Sequence, residues 1–446
     1  MSQTFASLRF FNYRLWFAGA LVSNIGTWMQ RVAQDWLVLT VLSDNSGTAV
    51  GITTALQFLP FLLLSAWAGV VADRMDHRKL LVITQLGQGV LSLALGAMTL
   101  LGHVDLWHVY VFAFLLGIVS AFDGPARQTF VSDLVPPASL PNAVGLNSAS
   151  FNAARLIGPG LAGLLIAVIG SGWVFVLNAV SYAATIIALA IMRGGELQRQ
   201  ERVARGRGQL REGVKYVRRR PDIIVILVVV GVVSAVGLNF QMTSALMAAN
   251  AFDKGAGAYG LVGSVTAIGS LGGALLAARR RRPRLRLVVG AAFAFGVSAT
   301  LMALSPTYEV YLVTCVPVGF TALTMLTSAN ATVQTTTSPR MRGRVMALYM
   351  MVLMGATPIG SPVVGWIGEH AGPRWSIGVG AVGALAVSLG AAAWVVRDSR
   401  LTVSYQLSRP FVRVRYPTPA ELEKETRVRA AEDILAQQLE DRSAQP

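Results

Sequence analysis

Twelve stretches of the chain are dominated by apolar residues and separated by polar segments: 15–42, 48–72, 80–101, 107–126, 145–168, 172–192, 223–249, 258–278, 287–305, 309–335, 345–368 and 374–396. An α-helix rises ~1.5 Å per residue, so ~20 residues cross the ~30 Å hydrocarbon core of a bilayer. The pattern predicts an all-α polytopic membrane protein with twelve transmembrane helices.

Three of the spans carry polar stripes. In the first, Asn24, Trp28, Arg31 and Asp35 are spaced four, three and four apart, while Val22, Ile25, Met29, Val32 and Trp36 fall mostly on other faces. The fifth repeats the design with Ser148, Phe151, Asn152, Arg155 and Pro159, and the tenth with Thr314, Pro317, Thr321, Thr324 and Ser328. A charge at the bilayer centre costs at least ~2.5 kcal/mol on the translocon scale, so such stripes are expected to face a wet cavity or one another. Two readings of the first stripe stay open. Arg31 and Asp35 form an i, i+4 pair that orients the helix, or Asp35 is a protonatable group whose proton affinity Arg31 and Arg155 adjust as the cavity changes access.

Composition fits the same class: of 446 residues 54% are hydrophobic and 13% charged. The net charge of +16 would suit nucleic acid, but the placement of the basic residues argues against it. Of 38 Lys and Arg, 34 lie in the N-terminal segment, the even-numbered connections and the tail after 396; the odd-numbered connections hold only Lys254 and Arg374. Basic residues are retained on the cytoplasmic side, so both termini and the even connections are expected there. VRRRP (217–221) and ARRRRPRLR (278–286) then read as topology determinants beside anionic headgroups.

The lone Cys315 rules out an intramolecular disulfide, a Cys metal cluster and a CxxC pair. The N-terminus has no small-residue cleavage site behind a short apolar core, so the first span is expected to be retained. The four His residues, His77, His103, His108 and His370, fall at loops or rims, and HExxH, GxSxG and GxxxxGK[ST] do not occur. No metal site, cofactor, membrane-embedded enzyme or P-loop ATPase is therefore expected.

The basic connection 193–222 divides the spans six and six. Ser23, Gly26 and Gln30 in the first span match Ser234, Gly237 and Gln241 in the seventh, and Ile157-Gly158 with Gly163 in the fifth match Ile359-Gly360 with Gly365 in the eleventh. This weak repeat predicts two six-helix halves, 1–192 and 223–396, around a central cavity, with 193–222 as a cytoplasmic linker. Gln30 and Gln241 count with Asn24, Trp28, Arg31, Asp35, Asn152 and Arg155 as cavity candidates. In this register Arg31 and Asp35 match Met242 and Leu246, so the charges belong to one half only. Trp28, Phe58, Phe240, Tyr349 and Met350 are candidates for an adaptable apolar lining. In the tail, 397–446, Thr418-Pro-Ala-Glu421 has the form of a capping box and predicts a short charged helix over 419–440.

Two further motifs stand at helix junctions. GVVADRMDHRKLL (69–81), between spans two and three, resembles the loop signature of the major facilitator superfamily: Gly69, Asp73, Arg74 and Arg78 match, while Asp76 and His77 replace the usual Gly and first paired base. A carboxylate and bases at such a junction brace one arrangement of the halves and release it in another, with Asp123 and Arg127 placed to join them or simply to cap a helix end. In span five, Ala154 to Gly163, with Gly158, Pro159 and Gly160, resembles the GxxxGPxxGG pattern of the superfamily's antiporter branch. Its physical content is close packing through small residues and a bend at the proline.

With FDGPARQTFVSDLVP (122–136) and SPRMRGRVMALY (338–349), the order of features resembles the efflux group of that superfamily that includes the enterobactin exporter. That resemblance implies twelve helices, an inner-membrane location, and export of small organic molecules such as drugs, siderophores or secondary metabolites, coupled to protons. The expected partners are substrate, protons and lipid, with the chain working as a monomer. An importer or facilitator of the same fold, and a non-transporting receptor built on it, are the competing readings.

Overall fold

The computed structural model describes residues 3–198, 209–278, 285–398, 402–405 and 412–415. In chain order the helices are α1 (Phe11–Leu37), α2 (Gly47–Arg74), α3 (His77–Leu100), α4 (Leu106–Leu134), α5 (Leu140–Ile169), α6 (Ser171–Ile191), α7 (Gln209–Val217), α8 (Pro221–Val232), α9 (Phe240–Leu246), α10 (Ala256–Ala278), α11 (Leu285–Ala303), α12 (Tyr308–Thr336), α13 (Pro339–His370) and α14 (Pro373–Asp398). Among the described residues, eleven helical segments are long and apolar enough to cross a membrane, with α8, α9 and the turns after them counted as one. The remaining expected span is α1: it has the length, at 27 residues, and its polar stripe makes it less hydrophobic.

Local signals set the helix ends. The Ser46 hydroxyl accepts from the Ala49 N–H at the start of α2, and the Asp76 carboxylate accepts from the Lys79 N–H at 3.0 Å at the start of α3. Gly170, at φ 83°, lets α5 end and α6 begin without a loop, in a conformation that costs an L side chain energy.

Three boundaries depart from the sequence expectation. The fourth span continues through Pro125 to Leu134, because Phe130, Val131 and Leu134 bury against α1, α3 and α5 and offset the one hydrogen bond the proline removes. Asp123 is therefore well inside a helix rather than at its end. The seventh span is not continuous: α8 widens into a π turn at Val233–Gly237, breaks at Leu238–Asn239 and resumes as α9. The basic linker contains α7, which packs on α13 with Arg344 bonded to Glu212. Nearby, Arg220 bonds Asp222, Tyr216 and the Thr336 carbonyl, and the Asp222 carboxylate holds its guanidinium above its usual pKa. The helix expected over 419–440 lies outside the described residues.

Helix α1 packs on α5 and α6, α3 on α4 and α6, and α2 on α4; later in the chain α12 packs on α10 and α11, and α13 on α8. The early and late helices meet along two seams, α2 with α13 and α5 with α10. Among the described residues, two apolar cores follow the bundle axis. One, at the end with the odd-numbered connections, combines Leu37, Val50, Ile166 and Phe175 with Met242, Leu246, Tyr259 and Val364. The other, at the opposite end, is built from residues before 198 alone, around Trp16, Leu81, Phe130 and Leu146. The bundle is thus sealed across its two sets of helices at the odd-connection end. Large apolar side chains such as Trp67, Val168, Val313 and Ile359 stay exposed, as lipid-facing residues do.

A separate compact unit, Leu389–Pro446, contains the end of α14 and an antiparallel pair, β1 (Thr402–Tyr405) and β2 (Val412–Arg415), with Thr402 opposite Arg415 and Tyr405 opposite Val412.

Candidate functional site

A narrow cleft of about 50 Å³ lies where α1, α5, α9 and α10 converge. Trp28, Arg155 and Pro159 line it from one side, and Phe240, Gln241 and Tyr259 from the other. The break in the seventh span immediately precedes Phe240 and Gln241, which sets them at the start of a new helix. Interrupted helices recur at transporter binding sites because an irregular backbone is tolerated only where it borders a cavity or protein.

The Trp28 indole is the centre of the basic wall. The Arg31 guanidinium lies 5.1 Å from its centroid and that of Arg155 5.7 Å, while Phe151 meets it edge-on at 5.9 Å. Arg31 also lies 5.4 Å from the Phe58 ring. Aromatic faces partly compensate a cation withdrawn from water.

Asp35 does not pair with Arg31. It is buried, and its Oδ2 accepts from the Tyr259 hydroxyl at 3.4 Å, across the seam, while Trp36 stacks on the same tyrosine at 5.8 Å. Among the described residues, no ion pair within 4.0 Å includes Arg31, Asp35 or Arg155. The remaining stripe residues separate. Asn24 accepts from Arg127 at 3.4 Å. Gln30 turns away from the cleft and accepts from Ser92 at 2.6 Å and from Asn178. Asn152 bonds the Ser148 carbonyl of its own helix at 2.8 Å. Of the apolar lining candidates, Trp28 and Phe240 border the cleft, whereas Tyr349 is buried with its hydroxyl on the Leu326 carbonyl. Tyr259 was not singled out in the sequence, since a tyrosine at the start of an apolar span reads as an interfacial anchor.

A second polar group, built from α1, α3 and α4, surrounds Asp123. Its Oδ1 accepts from Thr84 at 2.7 Å and Gln85 at 2.8 Å, and its Oδ2 from Arg127 Nε at 2.5 Å. Arg127 also reaches the Ser23 hydroxyl at 3.3 Å and lies 5.6 Å from the Trp16 ring. None of these bonds involves a described side chain of the signature loop. There, His77 Nδ1 pairs with Asp133 Oδ2 at 2.5 Å, and Arg78 donates to the Ala190 carbonyl at 3.2 Å. Arg74 is exposed, Gly69 is within α2, and the Asp73 side chain is outside the described atoms. His77 thus has a carboxylate partner that the loop sequence did not indicate.

The Gly-Pro-Gly segment of α5 serves two contacts. A Cβ at Gly158 would lie 2.6 Å from that of Trp28, so this glycine lets α1 carry its indole against α5. A Cβ at Gly163 would lie 2.5 Å from the Ala256 carbonyl and 3.0 Å from Gly260 Cα, and one at Gly160 2.8 Å from the Ser264 hydroxyl. Across the seam, a Cβ at Gly263 would meet that of Pro159 at 2.7 Å. The α5–α10 seam is therefore small residue against small residue, at a separation no larger side chain permits.

Comparison with known proteins agrees with this architecture. The family described as transmembrane secretion effector matches residues 2–415. The multidrug efflux pump Tap of Mycolicibacterium fortuitum is 29% identical over 365 residues, 79% of this chain and 88% of the pump. Macrolide efflux protein A of Streptococcus pyogenes is 24% identical, over 78% of this chain and 87% of its own length. The staphyloferrin A transporter of Staphylococcus aureus is 30% identical over 39% of this chain and 44% of its own. Among solved structures, a POT family transporter (TM-score 0.70, 12% identity, 86% of this chain and 96% of that one) and a bacterial homologue of the human lysosomal transporter Spinster (0.65, 15%, 87% and 97%) share the fold. The chain, a multi-pass membrane transporter and not an enzyme, belongs to the transmembrane secretion effector family of the major facilitator superfamily.

Proposed function

We propose that the protein exports small organic molecules across the cytoplasmic membrane by alternating access, in exchange for protons. The efflux relatives supply the direction, and their names, multidrug, macrolide and siderophore, supply the range of cargo. Two six-helix halves, 1–192 and 223–396, move against each other along the α2–α13 and α5–α10 seams. The basic distribution puts both termini and the even connections in the cytoplasm, so the sealed end faces outward and the cleft opens inward. The loop at Gly69, Asp73, Arg74 and Arg78 braces the cytoplasmic ends, and a single chain is the working unit.

The observation that carries the proton step is the position of Asp35. A buried carboxyl with no cation in ion-pair range among the described residues bonds a tyrosine of the opposite half, at the end that must part when the cleft opens outward. Parting breaks the Tyr259 bond and gives the carboxyl to water, which changes its access and its environment together. Everted vesicles given an imposed pH gradient test this. Substrate should accumulate with the native chain, and Asp35→Asn should abolish the gradient-driven part while leaving equilibrium exchange. Unchanged gradient-driven accumulation by Asp35→Asn would remove Asp35 from the proton step, and uptake into whole cells down a substrate gradient would favour an importer.

A further inference from the structure

We infer that the cleft is built for an organic anion, a carboxylate or similarly charged acid carried on an aromatic or flat apolar body, and selects against cations. This rests on the transport reading above and adds the substrate's chemical class to it.

The inference starts from groups left unsatisfied. Arg31 and Arg155 share one indole and have no carboxylate in ion-pair range among the described residues. Arg31 Nε is buried without a hydrogen-bond partner, and so is Gln241 Nε2 on the opposite wall. Gln241 borders the cleft, and Arg31, just outside its lining, reaches the Trp28 face; both atoms are donors that an acceptor would satisfy, while the buried unpaired acceptor Asn239 Oδ1 lies outside the lining. Arg155 is the charged residue among those that border the cleft; Asp35 is set behind Tyr259 and occupied with its hydroxyl.

Two like charges held near each other in a poorly hydrated site raise the energy of the empty state. An anion relieves it by supplying acceptors in the planar geometry a guanidinium matches. A cation would meet uncompensated positive charge, which is discrimination by repulsion rather than by fit. Trp28, Val32, Pro159, Phe240 and Ala267 give the wall an apolar, partly aromatic stretch, suited to a flat hydrophobic body lying beside the acid group, with the Ser244 and Thr266 hydroxyls also on the lining. Movement of an anion outward in exchange for a proton is also favoured by an inside-negative membrane potential.

The test is equilibrium binding to the purified full chain with no gradient, using 1-naphthylacetate and its cationic counterpart 1-naphthylmethylammonium. Naphthylacetate should bind at least about tenfold more tightly. Arg155→Gln and Arg31→Gln should each reduce that preference severalfold, and Arg155→Lys, which keeps the charge, should retain much of it. Thermal unfolding of each variant without ligand separates lost recognition from lost folding. Equal or tighter binding of the ammonium, binding of neither probe, or an anion preference untouched in folded Arg155→Gln would each overturn the inference. Failure of the transport reading shows differently: anion-selective binding with no gradient-driven flux in vesicles leaves the cleft assignment standing, while gradient-driven flux of cations alone overturns it and leaves transport intact.

Discussion

Asp123 and Asp35 are both buried carboxylates in helices, yet they are placed to do opposite things. Asp123 has all its neighbours in one half, accepting from Thr84, Gln85 and Arg127, so it is a closed structural group. Removing one partner of such a pair leaves the other charge uncompensated, which typically costs about 3–5 kcal/mol. Asp123→Asn is therefore expected to lower the melting temperature of the purified protein sharply, whereas Asp35→Asn, which loses one long bond to Tyr259, should leave it nearly unchanged. Spacing in the sequence places Asn24, Trp28, Arg31 and Asp35 on one stripe of the first span. It did not show that Asn24, Arg31 and Asp35 point to different partners, because Arg127 and Tyr259, which Asn24 and Asp35 meet, come from helices remote in sequence. A smaller residue-scale expectation concerns Trp28: replacement by Ala removes the aromatic face shared by Arg31 and Arg155. It should weaken substrate binding more than it weakens the fold, read as affinity against unfolding temperature.

At the scale of elements, the glycines of α5 act as a contact surface toward α10. Gly163→Val puts a branched side chain where a single Cβ already lies 2.5 Å from a carbonyl oxygen. Overpacking of this kind costs about 1–3 kcal/mol, and here it also holds α5 and α10 apart. Reduced thermal stability together with reduced transport is expected; Gly170→Ala should affect stability through its positive φ and spare the seam. The sequence marked Gly158, Pro159, Gly160 and Gly163 as packing residues. Their counterparts Gly260 and Gly263 were unmarked, because glycines scattered in an apolar span look alike until a neighbour is known. The interruption of the seventh span was likewise invisible: Val, Ser, Ala and Gly at 233–237 keep the segment apolar, and hydropathy does not distinguish a π turn from an α turn.

For the whole molecule, the decisive feature is the apolar seal between the two sets of helices at the odd-connection end. Asn250 donates to the Asn45 carbonyl at 3.2 Å there, and Glu369 on α13 accepts from the Ser46 hydroxyl at 2.7 Å and the Thr48 N–H at 2.9 Å, capping α2. If transport requires this end to part, linking it must stop transport. Asn45→Cys combined with Asn250→Cys is expected to cross-link readily and block flux, with recovery on reduction; native Cys315 is buried and should not interfere. Full transport in the quantitatively linked protein would mean this end does not open. Glu369→Ala should slow the cross-linking of the same pair by weakening the cap that holds the seal.

Hydropathy and the placement of basic residues determined by themselves that this chain is a bundle of twelve membrane-length spans, because the cost of putting polar backbone and charge in hydrocarbon is paid segment by segment and so is written locally. The family was legible as well, since its motifs lie at junctions where a few contiguous residues suffice. What only the tertiary structure decided is which polar residues face one another: that Asp35 meets Tyr259, that Arg127 belongs to Asp123, that two guanidiniums share Trp28, and that one end of the bundle is sealed. These depend on contacts between helices up to hundreds of residues apart, where periodicity fixes a face but not the neighbour it meets.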